Sequence, residues 1–129
     1  MCIRDRYITA EESLEQVKIR WERLNQNSID LKIFAETNLS LIIEEIKRVN
    51  PCFAIIDSIQ AIHHNEMQSS PGSVSQVRAC SSELQNLAKD NNIALLIIGH
   101  VTKDGALAGP KTLEPVSYTH LTLPTILRV

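Results

Sequence analysis

Three polar side chains stand directly behind apolar runs, where a strand hands over to a loop, and these are the residues that could do chemistry. Phe53-Ala54-Ile55-Ile56 runs into Asp57, with Ser58 and Gln60 just behind. A carboxylate at the carboxyl end of a strand sits where open α/β sheets bind ligands. In a nucleotide-hydrolysing enzyme it holds the magnesium ion of ATP, the Walker B role. The plainer alternative is a turn or N-cap aspartate. Thr9-Ala10-Glu11-Glu12 places carboxylates behind Tyr7-Ile8. Glu11 there could orient a water for attack on a phosphate, or the pair could be first-turn acids favoured by a helix dipole. Ile97-Ile98-Gly99-His100 brings a histidine to the same place after another strand. It could hydrogen-bond a terminal phosphate and sense its loss, or simply meet water. His63 and His64 have no third ligand at metal spacing, so no zinc site is expected.

Two further segments combine charge with backbone donors. Residues 101–111 hold Gly105, Gly109, Lys103 and Lys111, a composition suited to a nucleic-acid backbone and equally to an ordinary surface loop. Residues 69–78 form a serine-rich loop entering a helix. Its terminal amides and Arg78, like Ser58 behind its strand, could meet phosphate or DNA. The four glycines, at 72, 99, 105 and 109, form no GxxxxGK[ST]. The phosphate-cradling loop that a Walker B aspartate works with is thus not among these 129 residues.

Strands and helices in alternation would have to position these groups. Residues 7–9, 31–34, 52–56 and 93–98 read as strands, the last two as continuous apolar runs expected to be buried on both faces of a parallel sheet. Residues 10–24, with Leu14, Val17, Trp21 and Leu24 in one stripe, read as a helix. So do 39–49, with Leu39, Ile42, Ile43, Ile46 and Val49 inward behind a Thr37 or Asn38 cap, and 73–89, with Val77, Cys80, Leu84, Leu87 and Ala88 on one side. This order implies right-handed βαβ units and an α/β fold.

Composition sets the outer bounds. The 129 residues suit one domain, and 43% hydrophobic with 22% charged is the balance of a globular chain. A net charge of −2 gives no global basic field, so any nucleic-acid contact must be local. No apolar stretch reaches the roughly 20 residues of a membrane span, and the scattered Cys2, Cys52 and Cys80 form no CxxC pair. A reduced, buried state and a cytoplasmic location are expected.

Five stretches carry a specific resemblance: Tyr7–Ser13, Ala35–Asn38, Ile56–Gln60, Pro71–Arg78 and Gly99–Gly105. Their order is similar to that of the bacterial RadA (Sms) family, RecA-like ATPases of DNA recombination and repair. The resemblance covers residues 7–114. It implies a partial RecA-like P-loop NTPase core in a hexameric ring, with ATP and Mg2+ as cofactors. Single-stranded DNA, recombination intermediates and a RecA-type recombinase are the implied partners, and branch migration the implied activity. Glu11 matches the water-activating glutamate, Asp57 the Walker B aspartate and His100 the phosphate sensor. Lys103, Gly105 and Lys111 fall on the DNA-facing loop. Ala10 stands where that family usually has glycine, and its zinc module, P-loop, KNRFG motif and protease-like domain are not matched. Residues 1–6 and 115–129 resemble translated sequencing-adapter DNA and are expected to be foreign to the domain. The 129-residue chain is therefore expected to be nearly inactive, with an exposed internal strand edge. The competing expectation is a non-catalytic, flavodoxin-like binding or signalling module.

Overall fold

Short runs rich in β-branched residues form the strands, and segments with apolar residues three and four apart form the helices. The computed structural model describes residues 5–24 and 31–100. Its elements are β1 (Arg6–Thr9), α1 (Leu14–Arg23), β2 (Lys32–Ala35), α2 (Leu39–Val49), β3 (Phe53–Asp57), a 3-10 turn (Ile59–Ala61), α3 (Val74–Asn91) and β4 (Ala94–Ile98). The expected leader and tail, 1–6 and 115–129, lie outside the described residues apart from Asp5 and Arg6.

The four strands are all parallel, in the order β2-β1-β3-β4. The chain runs outward from β1 to β2, then returns across β1 to β3 and on to β4. Because parallel crossovers are right-handed, this reversal puts α1 on one face and α2 and α3 on the other. The packing agrees. Ile42 and Ile46 of α2 and Val77, Cys80 and Leu84 of α3 form one buried cluster with Ile8, Ala54 and Ile56, whereas Val17, the buried residue of α1, lies outside it.

Strand register sorts the side chains between these faces. Tyr7 pairs with Ile55, and Thr9 pairs with Asp57, which pairs with Ile98. Tyr7, Thr9, Ile55 and Asp57 therefore share the face of α1, and Ile8, Ala54 and Ile56 share the other. The expectation that β3 is buried on both faces is corrected here. Ala54 and Ile56 are fully buried, but Phe53, Ile55 and Asp57 are only half-buried. The same imbalance corrects the α1 stripe: Leu14 and Leu24 are exposed, because one helix covers this face where two cover the other. Among the described residues β4 is an edge strand, and Leu96, Ile97 and Ile98 are half-buried rather than enclosed.

Helix limits follow their caps. The first helix starts at Leu14 rather than Ala10, because the Ser13 hydroxyl accepts from the Gln16 amide and Gln16 Oε1 in turn accepts from the Ser13 amide. Asn38 caps α2, and Asn50 and Asn92 close α2 and α3 in the left-handed conformation that asparagine tolerates. One cysteine expectation fails: Cys52 lies before β3, exposed and disulfide-bonded. Cys80 is free and buried as expected, and burial pushes its thiol up to about 11.

Candidate functional site

In an open parallel sheet, ligands bind beyond the carboxyl ends of the strands, where neighbouring connections leave in opposite directions. Here that point lies between β1 and β3. Thr9 ends one strand and Asp57 the other, and they are paired. The Ala10 amide donates to the Asp57 carbonyl at 2.7 Å, so the loop carrying Glu11 is pinned against the loop carrying Ser58.

Three of the predicted side chains converge there. The Ser58 hydroxyl donates to Glu11 Oε1 at 2.6 Å, and Nε2 of His100 lies 2.7 and 2.8 Å from the two Glu11 oxygens. The Ser58 hydrogen bond holds the Glu11 carboxyl below the usual glutamate range; burial opposes this and His100 adds to it. Glu11 and Glu12 both precede the Ser13 cap, so neither is a first-turn helix acid. Glu12 instead pairs with Arg20. Ser58 is fully buried, with its hydroxyl committed to Glu11.

Asp57 lies beside this cluster. Tyr7 Oη donates to Asp57 Oδ2 at 2.5 Å. Burial, followed by the bond to Asp57 and the charge of that carboxylate, drives the Tyr7 phenol well above its ordinary value. Among the described residues Oδ1 of Asp57 takes no hydrogen bond. No group of three or more His, Cys, Asp or Glu among those residues could hold a metal. A cation at Asp57 would have to complete its shell with water and ligand oxygens, which is the habit of magnesium.

Gln60, on the turn after β3, ties this strand exit to the next. Its Oε1 accepts from the His100 amide at 3.2 Å, and its Nε2 donates to the His100 carbonyl at 3.4 Å. Gly72, at φ +79°, closes against the Gln60 carbonyl; a Cβ there would come within 3.4 Å of that oxygen. The loop before α3 is held by Gln76, which is buried. Its Oε1 accepts the His64 amide at 2.8 Å and its Nε2 donates to the Ser69 carbonyl at 2.8 Å. His64 pairs with Glu83 at 2.7 Å, a structural use of that histidine.

Arg78 is exposed on α3, and among the described residues no hydrogen bond or ion pair joins it to Glu11, Ser58 or His100. Lys103, Gly105 and Lys111 lie outside the described residues. Sequence reasoning missed Tyr7 and Gln76. The signal for Gln76 was a lone amide on the apolar side of its helix. Tyr7 gave none until strand register was known. No described helix is long and apolar enough to cross a membrane.

A parallel sheet flanked by helices, with acidic residues at its switch point, defines an α/β core. The order β2-β1-β3-β4 is shared with flavodoxin-like sheets, so topology alone does not choose between the two expectations. Comparison with known sequences does. DNA repair protein RadA of Listeria monocytogenes serovar 1/2a is 52% identical over 108 residues, covering 84% of this chain and 24% of the relative. The RadA proteins of Bacillus subtilis (strain 168) and Streptococcus pneumoniae (strain ATCC BAA-255 / R6) are 46% and 51% identical over 108 residues, covering 24% and 26% of those relatives. No protein-family model matches the chain. The chain belongs to the RadA family, with a RecA-like core, and spans about a quarter of the length of the curated relatives it matches.

Proposed function

We propose that the carboxyl ends of β1, β3 and β4 form part of the nucleotide-hydrolysing site of a DNA-dependent ATPase acting in recombinational repair. The observation that carries this is the convergence of Glu11, Ser58 and His100 beside Asp57 at the switch point. The relatives are named DNA repair proteins, which supports the cellular role. Asp57 would hold Mg2+, which when bound neutralises phosphate charge as the terminal phosphoryl group leaves. Glu11 accepts a proton from, or orients, the attacking water. In the geometry described here His100 occupies both Glu11 oxygens, so Glu11 must be released before it can serve a water. Lys103, Gly105 and Lys111 are assigned to the DNA-facing loop, within a ring of identical subunits acting on single-stranded DNA and recombination intermediates beside a RecA-type recombinase.

The test is ATP turnover by a full-length RadA protein carrying this segment. Glu11→Gln and Asp57→Asn should each lower kcat by about 100-fold or more, with the fold intact by circular dichroism. Retention of near-normal turnover by either variant overturns that residue's role. The 129-residue chain alone should be nearly inactive, for want of a phosphate-cradling loop.

A further inference from the structure

We infer that Tyr7 is a positioning residue for the cation site: its hydroxyl fixes the Asp57 carboxylate so that one oxygen faces the ligand. The inference rests on the reading of Asp57 as a magnesium ligand and assigns a role to a residue outside the motif that suggested it.

The geometry comes from the sheet. Parallel register sets Tyr7 opposite Ile55 and Thr9 opposite Asp57. Tyr7 therefore lies on the same face as Asp57, one pleat upstream on the adjacent strand. An aromatic side chain is long enough to cover that diagonal, and its Oη reaches Asp57 Oδ2 at 2.5 Å. A hydroxyl bond to an ionised carboxylate is charge-assisted and stronger than one between neutral groups. It restrains rotation of the carboxylate and leaves Oδ1 without a hydrogen bond among the described residues.

Two features suit Tyr7 to this task. It lies in β1, which is hydrogen-bonded to a strand on each side, so its backbone is among the best held in the molecule. Among the described residues no hydrogen bond joins the Tyr7 hydroxyl to Glu11, Ser58 or His100, so the bond that holds Asp57 is separate from those that hold Glu11. Magnesium requires near-ideal octahedral geometry and is bound through few carboxylates, so the orientation of each one matters. Residues that orient a metal ligand are commonly worth 10- to 100-fold in metal affinity or activity.

The test is Tyr7→Phe in a full-length RadA protein carrying this segment, which keeps the ring and deletes the hydroxyl. With ATP saturating, the Mg2+ concentration for half-maximal hydrolysis should rise about tenfold. At saturating Mg2+, kcat should stay within about threefold of the unmodified protein and KM for ATP should not move. Loss of the free Mn2+ signal in electron paramagnetic resonance, titrated in the presence of ADP, should show the same weakening. An unchanged metal requirement overturns the inference. So does a variant that no longer folds, since the hydroxyl would then serve stability. Asp57→Asn in the same assay separates the two levels. If it keeps normal magnesium-dependent turnover, the reading of Asp57 itself fails. If it abolishes turnover while Tyr7→Phe changes nothing, only the role of Tyr7 fails.

Discussion

On one face of the sheet Ile8, Ala54 and Ile56 are sealed beneath α2 and α3; on the other, Tyr7, Ile55 and Asp57 lie half-buried beside α1. The strands are the same, and successive residues of β3 alternate between the two environments. The sealed face holds almost the whole apolar cluster, along with one polar tie at its margin, where Arg6 meets Glu45 of α2 at 3.2 Å. The open face holds the tyrosine, the aspartate and the approach to Glu11. The sealed core and the proposed cation site thus lie on opposite sides of one layer, and the pleat makes that possible.

The sharpest way to break this comparison is a pair of adjacent substitutions. Ile56→Ala should cost about 2–5 kcal/mol, because it opens a cavity in the sealed face. Ile55→Ala should cost about 1 kcal/mol, because its side chain already meets solvent. Urea unfolding of both variants checks this, and equal losses would mean that the open face is covered in solution.

Next in size is Gln76→Ala. It removes a buried amide and leaves the His64 amide and the Ser69 carbonyl without their partner, a loss of about 1–3 kcal/mol. The effect should concentrate in the loop before α3, read as faster amide exchange at His64, while exchange at Ile8 and Ile56 stays slow. Uniform acceleration would show that the loop is not separable from the sealed core.

The smallest effect is a pH dependence on the open side. The Glu11 carboxyl titrates below its ordinary value of 4.5, so the fold prefers it ionised. The stability it contributes is present above about 4.5 and is lost as pH falls through the lower folded value. Ser58→Ala removes the largest cause of the shift and should move the Glu11 titration back upward, as followed by its carboxyl carbon resonance. A titration that stays in place would transfer the cause to His100.

Much of this was legible beforehand. The inward residues of α2 and α3 follow from spacing alone, because long amphipathic segments bury one stripe wherever they pack. Glu11, Asp57 and His100 could be picked out because each follows an apolar run. Their meeting could not, since it depends on β1 pairing with β3 rather than being separated from it by β2. The burial of β3 was misjudged for a related reason: a short apolar run does not say how many helices cover each face. Tyr7 was invisible, because a tyrosine in a strand has a role only once its diagonal neighbour is known.

By itself the sequence determined the alternation of strand and helix, the cap at Thr37 or Asn38, and the positions of the acids and the histidine at strand ends. These are local properties, set by side-chain periodicity and by hydrogen bonds a few residues long. Only the tertiary structure decided that Glu11, Ser58 and His100 share one cluster, that Asp57 is held from β1 by Tyr7, and that one face is sealed while the other stays open. Those follow from strand order and parallel register, which join residues as far apart in the chain as Glu11 and His100.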